Sequence, residues 1–180
     1  MSGVAMTKLA EKMNLKNLTQ DVSLEDKKIG VPDINRPALQ LTGFFDYFDA
    51  ERVQVIGYVE YTYLKSLGED VKEDLYEKLL SYGIPCIIFS RNLPPDEVLL
   101  QKANKKNIPI FQTSQKTSAF TAELIRWLNV ELAPCISIHG VLVDVDGVGV
   151  LIMGESGIGK SEAALELIKR GHRLVTDDVV

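Results

Sequence analysis

Apolar positions recur along the chain with two different periods, and the switches between those periods divide it into elements. Residues 4–15 carry Val4, Met6, Leu9, Ala10 and Met13 at the spacing of an amphipathic helix. Residues 17–36 are polar and rich in turn formers. An aromatic run, Phe44, Phe45, Tyr47 and Phe48, follows Asn35-Arg36-Pro37; it reads as core, with an aromatic ligand box as the sharper alternative. Residues 53–59 predict a buried strand. Residues 60–67 and 71–82 predict helices, the second with Val71, Leu75, Leu79 and Leu80 on one face. A second strand is predicted over 84–89. Pro94-Pro95 followed by Asp96-Glu97 opens a helix, because proline tolerates a first turn and acids favour its dipole. A third strand over 108–111 and a helix over 118–132 complete this part.

Strands alternating with helices at this spacing imply an α/β domain over residues 1–132 with a mostly parallel sheet. It holds no glycine-rich phosphate loop, His/Cys cluster or nucleophile elbow. The residues alone leave it regulatory, substrate-positioning, oligomerising or simply structural. Ala133-Pro134 marks a domain boundary, and residues 133–180 form the second region. There 136–145 is strand-like, Asp146-Gly147 signals a two-residue type I′ hairpin, and 148–153 returns as the partner strand.

Directly after Met153 stands Gly154-Glu155-Ser156-Gly157-Ile158-Gly159-Lys160-Ser161, which fits the phosphate-binding pattern G-x-x-x-x-G-K-[ST] between a strand and a helix. Glycines let the backbone curl so that N–H groups face phosphate oxygens, and the helix that opens at Lys160 adds its positive dipole end. Lys160 supplies a mobile charge for the outer phosphates, and the Ser161 hydroxyl can ligate Mg²⁺. These eight residues are expected to bind a nucleotide or another polyphosphate. The helix predicts a packed face of Ala163, Ala164, Leu167 and Ile168, and Gly171 is placed to end it in a left-handed cap. A strand over 173–176 and the pair Asp177-Asp178 follow. Loops of small GTPases follow an opening strand, so arrival from a hairpin points to a different architecture. Residues 134–180 number only 47, too few to bury a core unaided, so the chain is expected to be cut off inside its catalytic domain.

Charge and composition narrow the partners. The 180 residues carry a net charge of −5; those before Pro134 hold 16 basic and 18 acidic side chains, the rest 4 and 7. Neither part is a basic surface for a nucleic-acid backbone. Cys86 and Cys135 lie far apart in apolar surroundings without C-x-x-C spacing, and both read as buried small hydrophobes. No stretch has the length of a membrane span or a signal peptide's apolar centre, which makes a cytoplasmic location the expectation.

Phosphoryl transfer needs charge neutralisation and a base for the incoming hydroxyl. Besides Lys160 and Ser161, the candidates are His139, Asp177 and Asp178. A strand directly after the loop's helix would bring its end beside the loop. Adjacent strand residues face opposite sides, so the two aspartates should differ in role, one facing the phosphates and the other capping or contacting metal through water. Read singly, the pair is also consistent with a polar strand end in solvent, His139 with a packed or hydrogen-bonded histidine, and His172 with a surface residue compensating a helix dipole.

Ser137-Ile138-His139-Gly140, the loop, and Leu174-Val175-Thr176-Asp177-Asp178 together resemble HPr kinase/phosphorylase, as do Asn35-Arg36-Pro37 and Thr42-Gly43-Phe44-Phe45-Asp46-Tyr47. The resemblance implies an N-terminal domain similar to the nucleotide-binding domain of Mur ligases and a kinase domain related to phosphoenolpyruvate carboxykinase. It implies phosphorylation of a serine of the phosphocarrier protein HPr by ATP or pyrophosphate with Mg²⁺, and the reverse phosphorolysis. Hexameric assembly, with fructose-1,6-bisphosphate and inorganic phosphate as effectors, is also implied. Asp177 matches the family's general base, His139 and Lys160 its other active-site residues, and Ser161 its first metal ligand. Asp178 is left as a supporting carboxylate, and Thr176 stands in place of the alanine often found before the acidic pair. The family's metal-binding glutamate and catalytic arginine would fall after Val180. Two other readings compete: a metabolite kinase or plain NTPase on the same loop, and a non-enzymatic sensor or assembly module.

Overall fold

A computed structural model of the protein describes residues 3–135 and 137–177. Its contacts divide into two compact units, residues 1–133 and 134–180. The first unit is mixed α/β. Its strands are β1 (Val4–Ala5), β2 (Lys16–Asn17), β3 (Lys28–Ile29), β4 (Ile34–Asn35), β5 (Val53–Ile56), β6 (Ile87–Phe89) and β7 (Ile110–Gln112). Its α-helices are α1 (Met6–Lys12), α2 (Tyr58–Ser66), α3 (Glu69–Ser81), α4 (Glu97–Lys105) and α5 (Thr117–Glu131), with a 3₁₀ turn at Gln40–Thr42. Strands β4 to β7 run parallel in sequence order, and β2 pairs antiparallel with β7 at one edge. The small pair β1–β3 is separate.

Both faces of the five-stranded sheet are covered, which is why its strands read as unbroken apolar runs. Along β6, Ile87 and Phe89 join one core and Ile88 the other. The first core takes Leu64 from α2, Leu75 and Leu79 from α3, and Leu99 from α4. The second takes Met6 and Leu9 from α1 with Phe120, Leu124 and Leu128 from α5. Helices on both sides make three layers.

Polar ties fix the sheet's margins. Glu60, side chain 3% exposed, accepts from the Arg36 guanidinium at 2.8 Å and from the Gly57 N–H at 3.0 Å. Arg36 thus fastens the chain after β4 to the start of α2, and Glu60 satisfies a donor that a helix N-terminus leaves over. Gly57 is small of necessity, since a Cβ there would meet the Thr117 side chain at 2.9 Å.

Several sequence expectations are corrected. Val4 and Ala5 form a strand, so the first helix starts at Met6. The turn-rich stretch carries three two-residue strands, too short to show a period. The strand predicted over 53–59 stops at Ile56, because Gly57 turns the chain into α2 and leaves Tyr58 and Val59 exposed. Val71 belongs to α3 but is 55% exposed, away from the packed face. In the aromatic run, Phe45 is buried and Phe48 packs against it edge-on, while Phe44 and Tyr47 face solvent. Cys86 is buried as expected; Cys135, next to the boundary between the units, is exposed.

In the second unit, β8 (Val141–Val145) lies between β9 (Val148–Ile152) and β10 (Arg173–Thr176), antiparallel to both. Helix α6 (Lys160–Lys169) packs Ala164 and Leu167 on Val141, Val143 and Ile152. Ala163 and Ile168, expected on that face, are exposed; the narrow sheet meets only one stripe of the helix. No helix of the described residues is long and apolar enough to cross a membrane.

Asp96, directly before α4, accepts from Lys65 at 2.6 Å and from the Tyr76 hydroxyl at 2.7 Å. Burial opposes its ionisation, but the hydrogen bonds from Lys65 and Tyr76 outweigh burial and hold its carboxyl below the usual range. Burial, reinforced by Asp96, pushes the Tyr76 phenol up. Asp96→Ala should therefore cost about 1–3 kcal/mol in urea unfolding at pH 7. A depressed carboxyl stabilises above its unfolded value of roughly 3.9, so the parent's advantage over the variant should disappear as pH falls through the lower folded value. Burial likewise raises the Cys86 thiol. An alkylating reagent at pH 8 should modify Cys135 and leave Cys86 unmodified until the chain unfolds, a difference mass spectrometry reads directly.

Candidate functional site

The hairpin β8–β9 sets the geometry of the second unit. Asp146 and Gly147 both have positive φ, 52° and 85°, as a type I′ turn requires, and the Gly147 N–H donates to Asp144 Oδ1 at 2.8 Å. That turn fixes the register from Val145 opposite Val148 to Val141 opposite Ile152. Strand β10 then pairs with the other side of β8, with Thr176 opposite Leu142. The consequence is positional. The start of β8, the end of β9 and the end of β10 lie at one end of the sheet, and they lead to or from His139, the glycine-rich loop and Asp177.

Close approach at that end needs a bare backbone. A Cβ on Gly140 would stand 2.9 Å from the Ile152 carbonyl oxygen, so the residue after His139 is glycine where the strands converge. Gly159, at φ 100° and ψ 20°, takes the left-handed conformation that swings the chain into α6. The helix then starts at Lys160 with a first turn of N–H groups that have no intrahelical partner. Its other end closes with Gly171 at φ 97°, where the Gly171 and His172 N–H groups donate to the Ile168 and Leu167 carbonyls.

A cavity of about 580 Å³ opens between these parts. Gly154, Ser156, Gly157 and Gly159 line it from the loop, Lys160, Ser161 and Glu162 from the helix, and His139 and Asp177 from the strand ends. The Lys160 ammonium donates to the carbonyls of Gly154 and Glu155, both at 2.8 Å, which staples the lysine across the loop. The structure therefore gathers His139, Lys160, Ser161 and Asp177 around one space. It leaves Glu155 and Ile158 outside: both are exposed, and Ile158 covers Gly154, where an added Cβ would sit 2.9 Å from Ile158 Cγ2. Asp178 lies outside the described residues.

Glu162 was not singled out from the sequence, although an acid in the first turn of a helix that opens on a phosphate loop is a legible signal. Gly140 and Val141 also line the cavity. His172 departs from the surface role expected of it, since its side chain is 18% exposed and its Nδ1 lies 3.8 Å from Asp146. Among the described residues no three His, Cys, Asp or Glu side chains cluster as a metal cage. A cation here would be held by a hydroxyl, a carboxylate and its phosphate ligand, the sparse oxygen set that suits Mg²⁺.

Comparison with known proteins identifies the family. The family model described as HPr Serine kinase N terminus matches residues 4–128, and that of the HPr Serine kinase C-terminal domain matches residues 130–180. A protein of Lachnoclostridium phytofermentans named HPr kinase/phosphorylase is 59% identical over 180 residues, 100% of this chain and 58% of its own length. One of the same name from Caldicellulosiruptor bescii is 48% identical over 96% of this chain and 56% of its own. The chain thus spans somewhat over half the length of these curated relatives. Among solved structures, the CBS and DRTGG domains of the regulatory region of Clostridium perfringens pyrophosphatase, complexed with diadenosine tetraphosphate, align with a TM-score of 0.51. They share 11% identity over 73% of this chain and 50% of theirs, a likeness of fold alone. Two family models that between them match nearly the whole sequence, and 59% identity over all 180 residues of this chain, place it in the HPr kinase/phosphorylase family.

Proposed function

We propose that this chain carries the phosphate-binding half of the active site of a kinase/phosphorylase that moves a phosphoryl group between ATP, or pyrophosphate, and a serine hydroxyl of HPr. The observation that carries the reading is the shared cavity of Lys160, Ser161, Asp177 and His139. On this reading the two units are a regulatory or assembly domain similar to the nucleotide-binding domain of Mur ligases, and the opening part of a kinase domain of the phosphoenolpyruvate carboxykinase type. Arrival at the loop from an antiparallel hairpin supports the second assignment.

Each residue has a role that its position supports. The first-turn N–H groups of α6 and the Lys160 ammonium bind phosphate oxygens, and the bonds from Lys160 to Gly154 and Glu155 keep the charge aimed over the loop. Asp177 accepts the proton of the serine hydroxyl as it attacks, and returns a proton in the reverse direction. His139, across the cavity, orients phosphate or acceptor. Two carboxylates, Asp177 and Glu162, share this space with a single lysine. A polyphosphate among those charges needs a divalent cation between them, and the Ser161 hydroxyl is placed to hold it. Mg²⁺, when bound there, neutralises charge on the transferring phosphate. HPr as the protein partner, a hexameric assembly, regulation by fructose-1,6-bisphosphate and phosphate, and a cytoplasmic location belong to the same proposal by family membership.

In the 180-residue chain, Lys160→Ala should weaken ATP binding by about tenfold or more in isothermal titration calorimetry, the loss of roughly one charge-assisted contact. Unchanged affinity would place the nucleotide elsewhere. In the protein extended to the length of its relatives, Asp177→Asn should lower transfer from labelled ATP to HPr by about a hundredfold or more while ATP affinity holds within about threefold. Turnover equal to the parent's would remove Asp177 from the chemistry. Label released to water at the same rate with and without HPr would favour a plain NTPase.

A further inference from the structure

Two helices, α2 and α6, carry a glutamate at the third position of their first turn, and the two acids stand in opposite surroundings. In α2 it is Glu60, which is buried, accepts from the Gly57 N–H at 3.0 Å and pairs with Arg36. That carboxylate is closed into a helix cap and neutralised within the protein. In α6 it is Glu162, which is exposed and lines the phosphate cavity. Its Oε2 reaches back over the last glycine of the loop, 3.7 Å from where a Cβ on Gly159 would stand. The basic residue nearest in sequence, Lys160, donates instead to the Gly154 and Glu155 carbonyls. Among the described residues Glu162 has no ion-pair partner.

We propose that Glu162 is the specificity residue that makes this site select metal-charged polyphosphate: its charge repels a polyphosphate that arrives without a divalent cation. The inference rests on the phosphate-binding reading above and assigns its selectivity to one side chain. An acid in a first helical turn favours the helix dipole, but this turn also has to receive phosphate oxygens. The carboxylate therefore stands against the ligand that its own helix attracts. Like charges a few ångströms apart at a protein surface change an equilibrium constant by roughly tenfold or more. With Mg²⁺ bound the sign reverses, because a cation that keeps several of its waters presents donors to a neighbouring carboxylate. Ser161, whose hydroxyl is placed to hold that cation, directly precedes Glu162 on the helix. Asp177, the other acid of the cavity, stands at a strand end with the acceptor's proton as its task; Glu162 overhangs the loop itself.

Calorimetric titration of the 180-residue chain with pyrophosphate, once in excess EDTA and once in excess Mg²⁺, tests this. The parent should bind at least about tenfold more tightly with Mg²⁺. Glu162→Gln should tighten metal-free binding by about tenfold while binding with Mg²⁺ stays level or weakens, so the ratio of the two affinities collapses. Glu162→Asp keeps the charge and should keep the parent's ratio to within about threefold. Glu166→Gln removes the same charge one turn further along α6, where it pairs with Arg170, and should also leave the ratio within about threefold. A residue that merely compensates the helix dipole gives another pattern, a lower melting temperature for Glu162→Gln with the ratio unchanged. That pattern overturns the proposal, and so does an equal collapse in Glu166→Gln or Glu162→Asp. A parent that binds pyrophosphate in neither condition removes the phosphate-binding reading as well. A parent that binds with Mg²⁺, at a ratio indifferent to Glu162, removes the selectivity assignment alone.

Discussion

A two-residue turn governs the site. With Asp146 and Gly147 at positive φ, the hairpin β8–β9 has one register, and a shift by one residue would turn every side chain to the opposite face. β10 pairs with the remaining side of β8. His139, the loop and Asp177 then share one end of the sheet. The catalytic candidates are 17 residues apart from Lys160 to Asp177 and 21 from His139 to Lys160 in sequence, and the antiparallel order cancels both separations. Gly140 completes the constraint, since any side chain there would push the start of β8 off the end of β9.

Much of this was legible beforehand because local rules dominate where chemistry is dense. The hairpin dipeptide, the loop motif and the glycine that ends α6 each fix backbone conformation through their own φ requirements, and the structure has them as read. All four long helices of the first unit were legible, α3 in its apolar period and α4 in the prolines and acids that precede it. What escaped were features decided by distant partners. The strands β1 to β4 are two residues each and take their conformation from neighbours far along the chain, Val4 opposite Ile29 and Lys16 opposite Gln112. Apolar identity also misled. Val71, Phe44, Tyr47 and Ile168 have the apolar character of core residues and face solvent, since hydrophobicity says that burial is favourable but not whether a neighbour exists to provide it. Glu162, in the first turn of α6, lines the cavity and fits the proposed phosphate site only with a cation beside it.

The two units solve different physical problems. The first buries a parallel sheet on both faces and ties its margins with paired polar groups, Glu60 to Arg36 and Asp96 to Tyr76 and Lys65. Such ties cost stability only when one partner is removed, so they fix conformation more than they add free energy. The second unit has a small core, Val141, Val143 and Ala164, beneath an open cavity. Its order comes from turns, caps and glycine contacts rather than from apolar area. That suits a site where backbone N–H groups have to be presented to phosphate and cannot be spent on one another.

The central claim is that the loop and the end of β10 act on the same bound phosphate. Amide chemical shifts of the labelled chain, followed by NMR during titration with ATP and Mg²⁺, test it most directly. The account predicts saturable shifts at Gly157, Gly159, Lys160 and Ser161 together with Asp177 and His139, all with one dissociation constant. Shifts confined to the loop while Asp177 stays unmoved, or centred on residues before Ala133, would contradict it.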